Sequence, residues 1–123
     1  MEKFWYLATP YTKFPGGRER AYEEACKVAA ALVLAGWKVF CPIAHAHPLD
    51  TVGKLGDQTH DFWTDLDRPF MDAAEGLLVV KMDGWDTSRG VLEEIDIFTK
   101  AGKPTIYMEW SGGQIVSTSG SSR

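Results

Sequence analysis

The chain has 123 residues, 13.7 kDa and a net charge of −4, enough for one hydrophobic core in two or three packed layers and too little for a second domain. The acidic balance argues against a nucleic-acid polymer as partner, since such proteins present a net basic face, and no run reaches the ~18 apolar residues of a membrane span, so no membrane partner is expected. The opening MEKFWYLATP carries an acid where a secretory leader carries a basic end, so a cytoplasmic location is expected, and Cys26 and Cys41 read as reduced thiols with no disulfide or zinc spacing.

Phe4 to Ala8 (FWYLA) predicts a strand that stops at Thr9-Pro10, and Lys13 to Gly17 (KFPGG) a loop into a helix. In that helix Ala21, Ala25, Val28, Ala29 and Leu32 recur at i, i+3, i+4 spacing and predict its core face. Ala35-Gly36 ends it. Trp37 to Cys41 predicts a second strand, closed by Pro42, and 43–59 lacks periodicity, as in a long loop or a loop with a short helix. A second helical pattern runs from about His60 to Ala74, with Pro69 expected to kink it or start a fresh turn. Gly76 to Lys81 (GLLVVK) is a third strand, Arg89 to Ala101 a third helix, and Thr105 to Met108 a fourth strand. Residues 1–110 thus form one α/β domain, and the Gly/Ser-rich 111–123 reads as a mobile tail. Strands alternating with helices imply a parallel sheet of four or five strands, covered on both faces and joined by right-handed crossovers.

In such a sheet ligands bind beyond the carboxyl ends of the strands at a switch in strand order. Thr9, Pro10 and Tyr11 follow the first strand there, and Met82 to Arg89 the third. At 100° per residue, Val91, Ile95 and Phe98 share one face of the last helix, Glu93 lies with Asp96 and Lys100 on the wet side, and Glu94 sits at the apolar margin. Glu94 is then either a helix-start acid satisfied by backbone donors or a functional carboxylate whose pKa burial raises. Trp85 reads as a base-stacking ring, a lid or core. Asp86 reads as a sugar ligand or a solvated cap, and Asp67 as a functional acid or a cap on a turn near Pro69. His45 and His47 lack a third well-spaced ligand, so they are expected to line a pocket; no metal and no cofactor are expected.

Tyr6-Leu7-Ala8-Thr9-Pro10-Tyr11, followed by Gly84-Trp85-Asp86-Thr87-Ser88-Arg89-Gly90 and Glu94, resembles the nucleoside 2-deoxyribosyltransferase-like superfamily, and more narrowly its small bacterial and phage members. The resemblance spans roughly Lys3 to Met108. It implies a flavodoxin-like (Rossmann-like) three-layer sandwich that cleaves or exchanges the N-glycosidic bond of a nucleoside or nucleoside 5′-monophosphate. It also implies Glu94 as nucleophile, Tyr6 orienting it and Asp67 protonating the departing base. Thr9, Tyr11, Trp85, Asp86 and Gly90 would contact substrate. Ser88 stands where most relatives carry an acid and resembles the relatives whose hydroxyl binds phosphate; Gly16-Gly17-Arg18 is similar to their phosphate loop. A homodimer or larger homo-oligomer is expected, and the alternative is a nucleotide-binding sensor or sequestering module without chemistry. The implied chemistry is consistent with the residues: a carboxylate captures the sugar cation while a second carboxyl protonates the base.

Overall fold

The structure, a computed structural model, describes residues 3–121. Strand β1 (Trp5–Ala8) leads to helix α1 (Arg18–Leu34), the two-residue β2 (Val39–Phe40), α2 (Pro42–Thr51) and α3 (His60–Ala73). Then come β3 (Gly76–Lys81), a 3₁₀ turn (Trp85–Thr87), α4 (Arg89–Lys100), β4 (Thr105–Ser111) and β5 (Gln114–Ser121). The five strands form one sheet in the order β2-β1-β3-β4-β5. The first four are parallel and β5 is antiparallel to β4, so the sheet is mixed and the fold is α/β, consistent with a Rossmann-like arrangement.

The central strands are apolar because both of their faces are covered. Leu7, Leu78, Val80 and Met108 join Ala21, Ala25, Val28 and Leu32 of α1 in one buried cluster. Tyr6, Ala8, Leu77 and Val79, one residue out of phase, join Met71 and Ala74 of the α3 end and Val91 and Phe98 of α4 in the other. The side-chain alternation of a strand thus sends Tyr6 to the α3–α4 side, where its role is decided.

One element matches the second of two alternatives read from the sequence, a loop with a short helix, and two depart from expectation. Residues 42–51 are a helix, with Pro42 in its first turn and Pro48 inside it; proline at a helix start costs nothing, because that N–H has no intrahelical partner. Helix α3 runs unbroken through Pro69. Its end is held by Lys103, whose Nζ donates to the carbonyl oxygens of Met71, Asp72 and Ala74 at 2.9, 2.6 and 2.7 Å. One ammonium satisfies three orphan carbonyls at the negative end of the helix dipole. Lys103→Met is therefore expected to lower unfolding free energy by on the order of 2 kcal/mol, read by urea denaturation. A loss below about 0.5 kcal/mol, the size of a neutral surface change, would show that water replaces the lysine.

The second departure is the C-terminal segment. It is strand β5, so the expected mobile tail is corrected to one arm of a hairpin through Ser121. Ser111 pairs with Gln114 across a two-residue Gly112-Gly113 turn, and both glycines have positive φ, 60° and 78°, which matches the twist of the flanking strands. The register shifts once, between Glu109 and Trp110.

No helix among the described residues is long and apolar enough to cross a membrane.

Candidate active site

The chain runs outward from β1 to β2, then returns to place β3 on the other side of β1, so the switch in strand order lies between β1 and β3. A cavity of about 620 Å³ opens at this edge, within the usual range for small-molecule sites. Thr9 and Tyr11 after β1, Asp67 of α3, Ser88 and Gly90 at the start of α4, Glu94, and Arg18 at the start of α1 all line it.

Behind the lining stands Tyr6, with no exposed surface and wedged between Phe40 and Phe98 at 5.8 and 5.7 Å between ring centroids. Its hydroxyl donates to Glu94 Oε2 at 3.0 Å. Burial, then the negative Glu94 and Asp67 beside it, raise its pKa far above the ordinary tyrosine value, so Tyr6 acts only as a hydrogen-bond donor. Burial likewise pushes the Glu94 carboxyl up to about 8; the Tyr6 bond opposes this, and neighbouring Asp67 and Glu93 add to it. Desolvation wins over the hydrogen bond.

Asp67 is pushed up to about 6 by burial, against the pull of the Tyr6 hydroxyl and His45. Its Oδ1 is buried with no hydrogen-bond partner among the described residues, as is Thr9 Oγ1. Two orphaned oxygens on one cavity wall are costly unless something entering the cavity meets them. The cap reading of Asp67 is overturned, because no turn begins at Pro69 and Thr59 caps α3 by accepting from Phe62 N at 3.1 Å.

Burial thus raises both carboxyls, with the Tyr6 hydroxyl opposing the rise at each. Because Asp67 adds to the rise at Glu94, their two titrations belong to the pair.

Other residues fall differently from expectation. Ser88 caps α4, its Oγ accepting from Val91 N at 3.3 Å, which leaves its own O–H free to donate. Trp85 lies outside the cavity lining, packed against Tyr107 at 5.9 Å with Lys81 over its ring at 5.7 Å, so it is part of the sheet-side packing. Asp86 is exposed and also outside the lining. Glu93 is not simply solvated: both of its oxygens lie 3.0 Å from His60 Nε2, and it lines the cavity beside Glu94. His60, Trp63, Lys13 and Arg89 also line it. Thr59 caps the helix that carries His60 and Trp63, and no motif in the sequence points to either residue.

Of the two histidines between β2 and α3, His45 packs against Phe40 and Phe70, whereas His47 is buried and bonded at both ring nitrogens.

No curated protein matches the chain. Residues 3–110 match the family described as Domain of unknown function (DUF1937). The match runs from ahead of β1 into β4 and so includes every wall of the cavity, and the chain belongs to this family.

Proposed function

We propose that the protein cleaves or exchanges the N-glycosidic bond of a nucleoside or nucleoside 5′-monophosphate, on a flavodoxin-like three-layer α/β frame. The observation that carries the reading is the Tyr6–Glu94 bond of 3.0 Å, with the orphaned carboxyl oxygen of Asp67 in the same cavity. A half-buried carboxylate held by an obligate donor, next to a second carboxyl in the same cavity, suits a reaction needing a nucleophile and an acid at once.

In the proposed step the Glu94 carboxylate attacks the anomeric carbon as the bond to the base nitrogen breaks. The bonding electrons leave with the base, and Asp67 supplies the proton that neutralises it. Water, or a second base, then displaces Glu94 from the sugar, its proton returning to Asp67. The cationic character growing on the sugar favours the ionised form of Glu94, which draws the shared proton toward Asp67 and the leaving base. Tyr6 keeps the Glu94 carboxylate aimed and supplies one fixed dipole to its charge.

Arg18 and the free O–H of Ser88 support a 5′-phosphate as an optional handle. The exposed Leu49, Val52, Leu55 and Phe62, in the same stretches of chain as the cavity-lining Asp50, Gly56 and Trp63, support association with a second copy that covers them.

The test is incubation with a panel of nucleosides and their 5′-monophosphates, with and without an added acceptor base, followed by chromatography. Free base, or a new nucleoside with the acceptor, is the expected product. Saturable nucleotide binding without either product would favour a sensor or sequestering module instead.

A further inference from the structure

The end of the cavity formed by α1 and α2 is organised around His47. This residue is 5 % exposed on a helix whose neighbouring His45 and Leu49 are exposed. Its ring stacks on Tyr22 of α1, centroids 4.3 Å apart and planes inclined by 18°. Its Nε2 lies 3.1 Å from Glu19 Oε1 and its Nδ1 2.7 Å from the Tyr11 hydroxyl. Tyr11 and His47 both line the cavity, and the Arg18 guanidinium lies over the Tyr11 ring at 5.7 Å.

The direction of these bonds follows from what each group can do. A carboxylate only accepts, so the Glu19 bond requires hydrogen on Nε2. An imidazole carrying a single proton then has a bare Nδ1, which can only accept, so the Tyr11 O–H must donate to it. In that singly protonated state the phenol hydrogen is engaged, and toward the cavity Tyr11 presents oxygen lone pairs alone. A group of that polarity recognises a donor and disfavours a ligand without one, whose binding would leave the desolvated phenol oxygen unpaired. A relay that merely tied α1 to α2 would not need a cavity-lining tyrosine at its end.

We propose that Tyr11, positioned by His47 and Glu19, is a specificity-determining acceptor for one sugar hydroxyl of the nucleoside. The inference rests on the nucleoside reading and adds to it which part of the substrate is read at the end of the cavity where Tyr11 stands. Glu19 and His47 are positioning residues: they act through Tyr11.

Two measurements test it. The ¹⁵N shifts of the His47 ring in the ligand-free protein at pH 8, which need no substrate, should show protonated Nε2 and bare Nδ1. A protonated Nδ1 would overturn the proposal whatever the turnover assays give. Calorimetry on Glu94→Gln protein, which allows binding without turnover, compares a nucleoside with its 2′-, 3′- and 5′-deoxy analogues. One analogue should bind about tenfold more weakly, the size of one hydrogen bond to a desolvated acceptor. Tyr11→Phe should abolish that difference while leaving the ranking of the other analogues unchanged. His47→Leu should reduce it, and His47→Asn, which keeps an acceptor facing Tyr11, should retain more of it. Equal loss for every analogue on Tyr11→Phe, or no discrimination in the parent, would overturn the proposal.

The failures are separable. Discrimination as described in a wild-type protein that releases no base sinks the glycosidic reading and leaves Tyr11 its role. Base release with equal kcat/KM on all analogues does the reverse, and absence of any nucleoside binding overturns both.

Discussion

Glu94→Gln is expected to reduce base release by on the order of 10³-fold or more while the fold survives. The substitution keeps the size of the side chain and an oxygen for the Tyr6 hydroxyl to reach, but an amide can neither capture the sugar nor offset its charge. Glu93→Gln is the control. It weakens the contact with His60, whose partner has 36 % of its side chain exposed, so it should cost no more than about 1 kcal/mol of stability. Its activity should remain within about tenfold of the wild type. Rates are to be read beside urea denaturation curves for all three proteins. Equal activity losses in the two variants, with stability intact, would move the nucleophile away from Glu94.

The second large effect is on stability as pH changes. Both carboxyls bind protons more tightly in the folded chain than in the unfolded one, Glu94 with a pKa of about 8 and Asp67 of about 6. Groups raised in this way contribute stability that is full below the unfolded values near 4 and is lost as pH rises through about 6 and then about 8. Between pH 5.5 and 9 the wild type should therefore lose roughly 2 to 4 kcal/mol more than Glu94→Gln, which has no charge to bury. At pH 9 the variant should be the more stable protein and at pH 5.5 the two should be close. A stability gain independent of pH would show that Glu94 is not the group being desolvated. The same pair sets the activity profile: with one proton needed on the dyad, kcat/KM should be bell-shaped with limbs near 6 and 8. A monotonic rise to pH 10 would remove Asp67 as the acid.

Much of the frame was legible because the strongest local signals coincide with the deepest burial. GLLVVK is a central parallel strand, apolar on both faces, and of the five residues named by the α1 spacing four are buried and Ala29 is half-buried against the same core. Glu94 was placed at the apolar margin by helix geometry alone, and the structure puts it there with Tyr6 against it. What escaped was set by contacts between distant segments. The helix at 42–51 has two prolines and little amphipathic contrast, so its periodicity is weak, and His47 is fixed by Tyr11, Tyr22 and Glu19, from other parts of the chain. Glu93 faces away from the core, as its helix position indicated, but α3 brings His60 to meet it. For β5 the composition misled. Gly112-Gly113 is a hairpin signal, yet Ser and Gly on either side resemble a linker until β4 is there to pair with.

That hairpin makes the sheet's two borders unlike. β2 ends the sheet with only two residues, a blunt border that offers a neighbour little to pair with. The opposite border is the eight residues of β5, which contain no charge and no proline, the devices that commonly keep open strands apart. Residues 3–110 carry the family match and every residue that lines the cavity, whereas β5 lies outside them. How this molecule meets its neighbours along the sheet plane can thus be retuned by a lysine or a proline in one short arm, and no atom that touches the cavity need change.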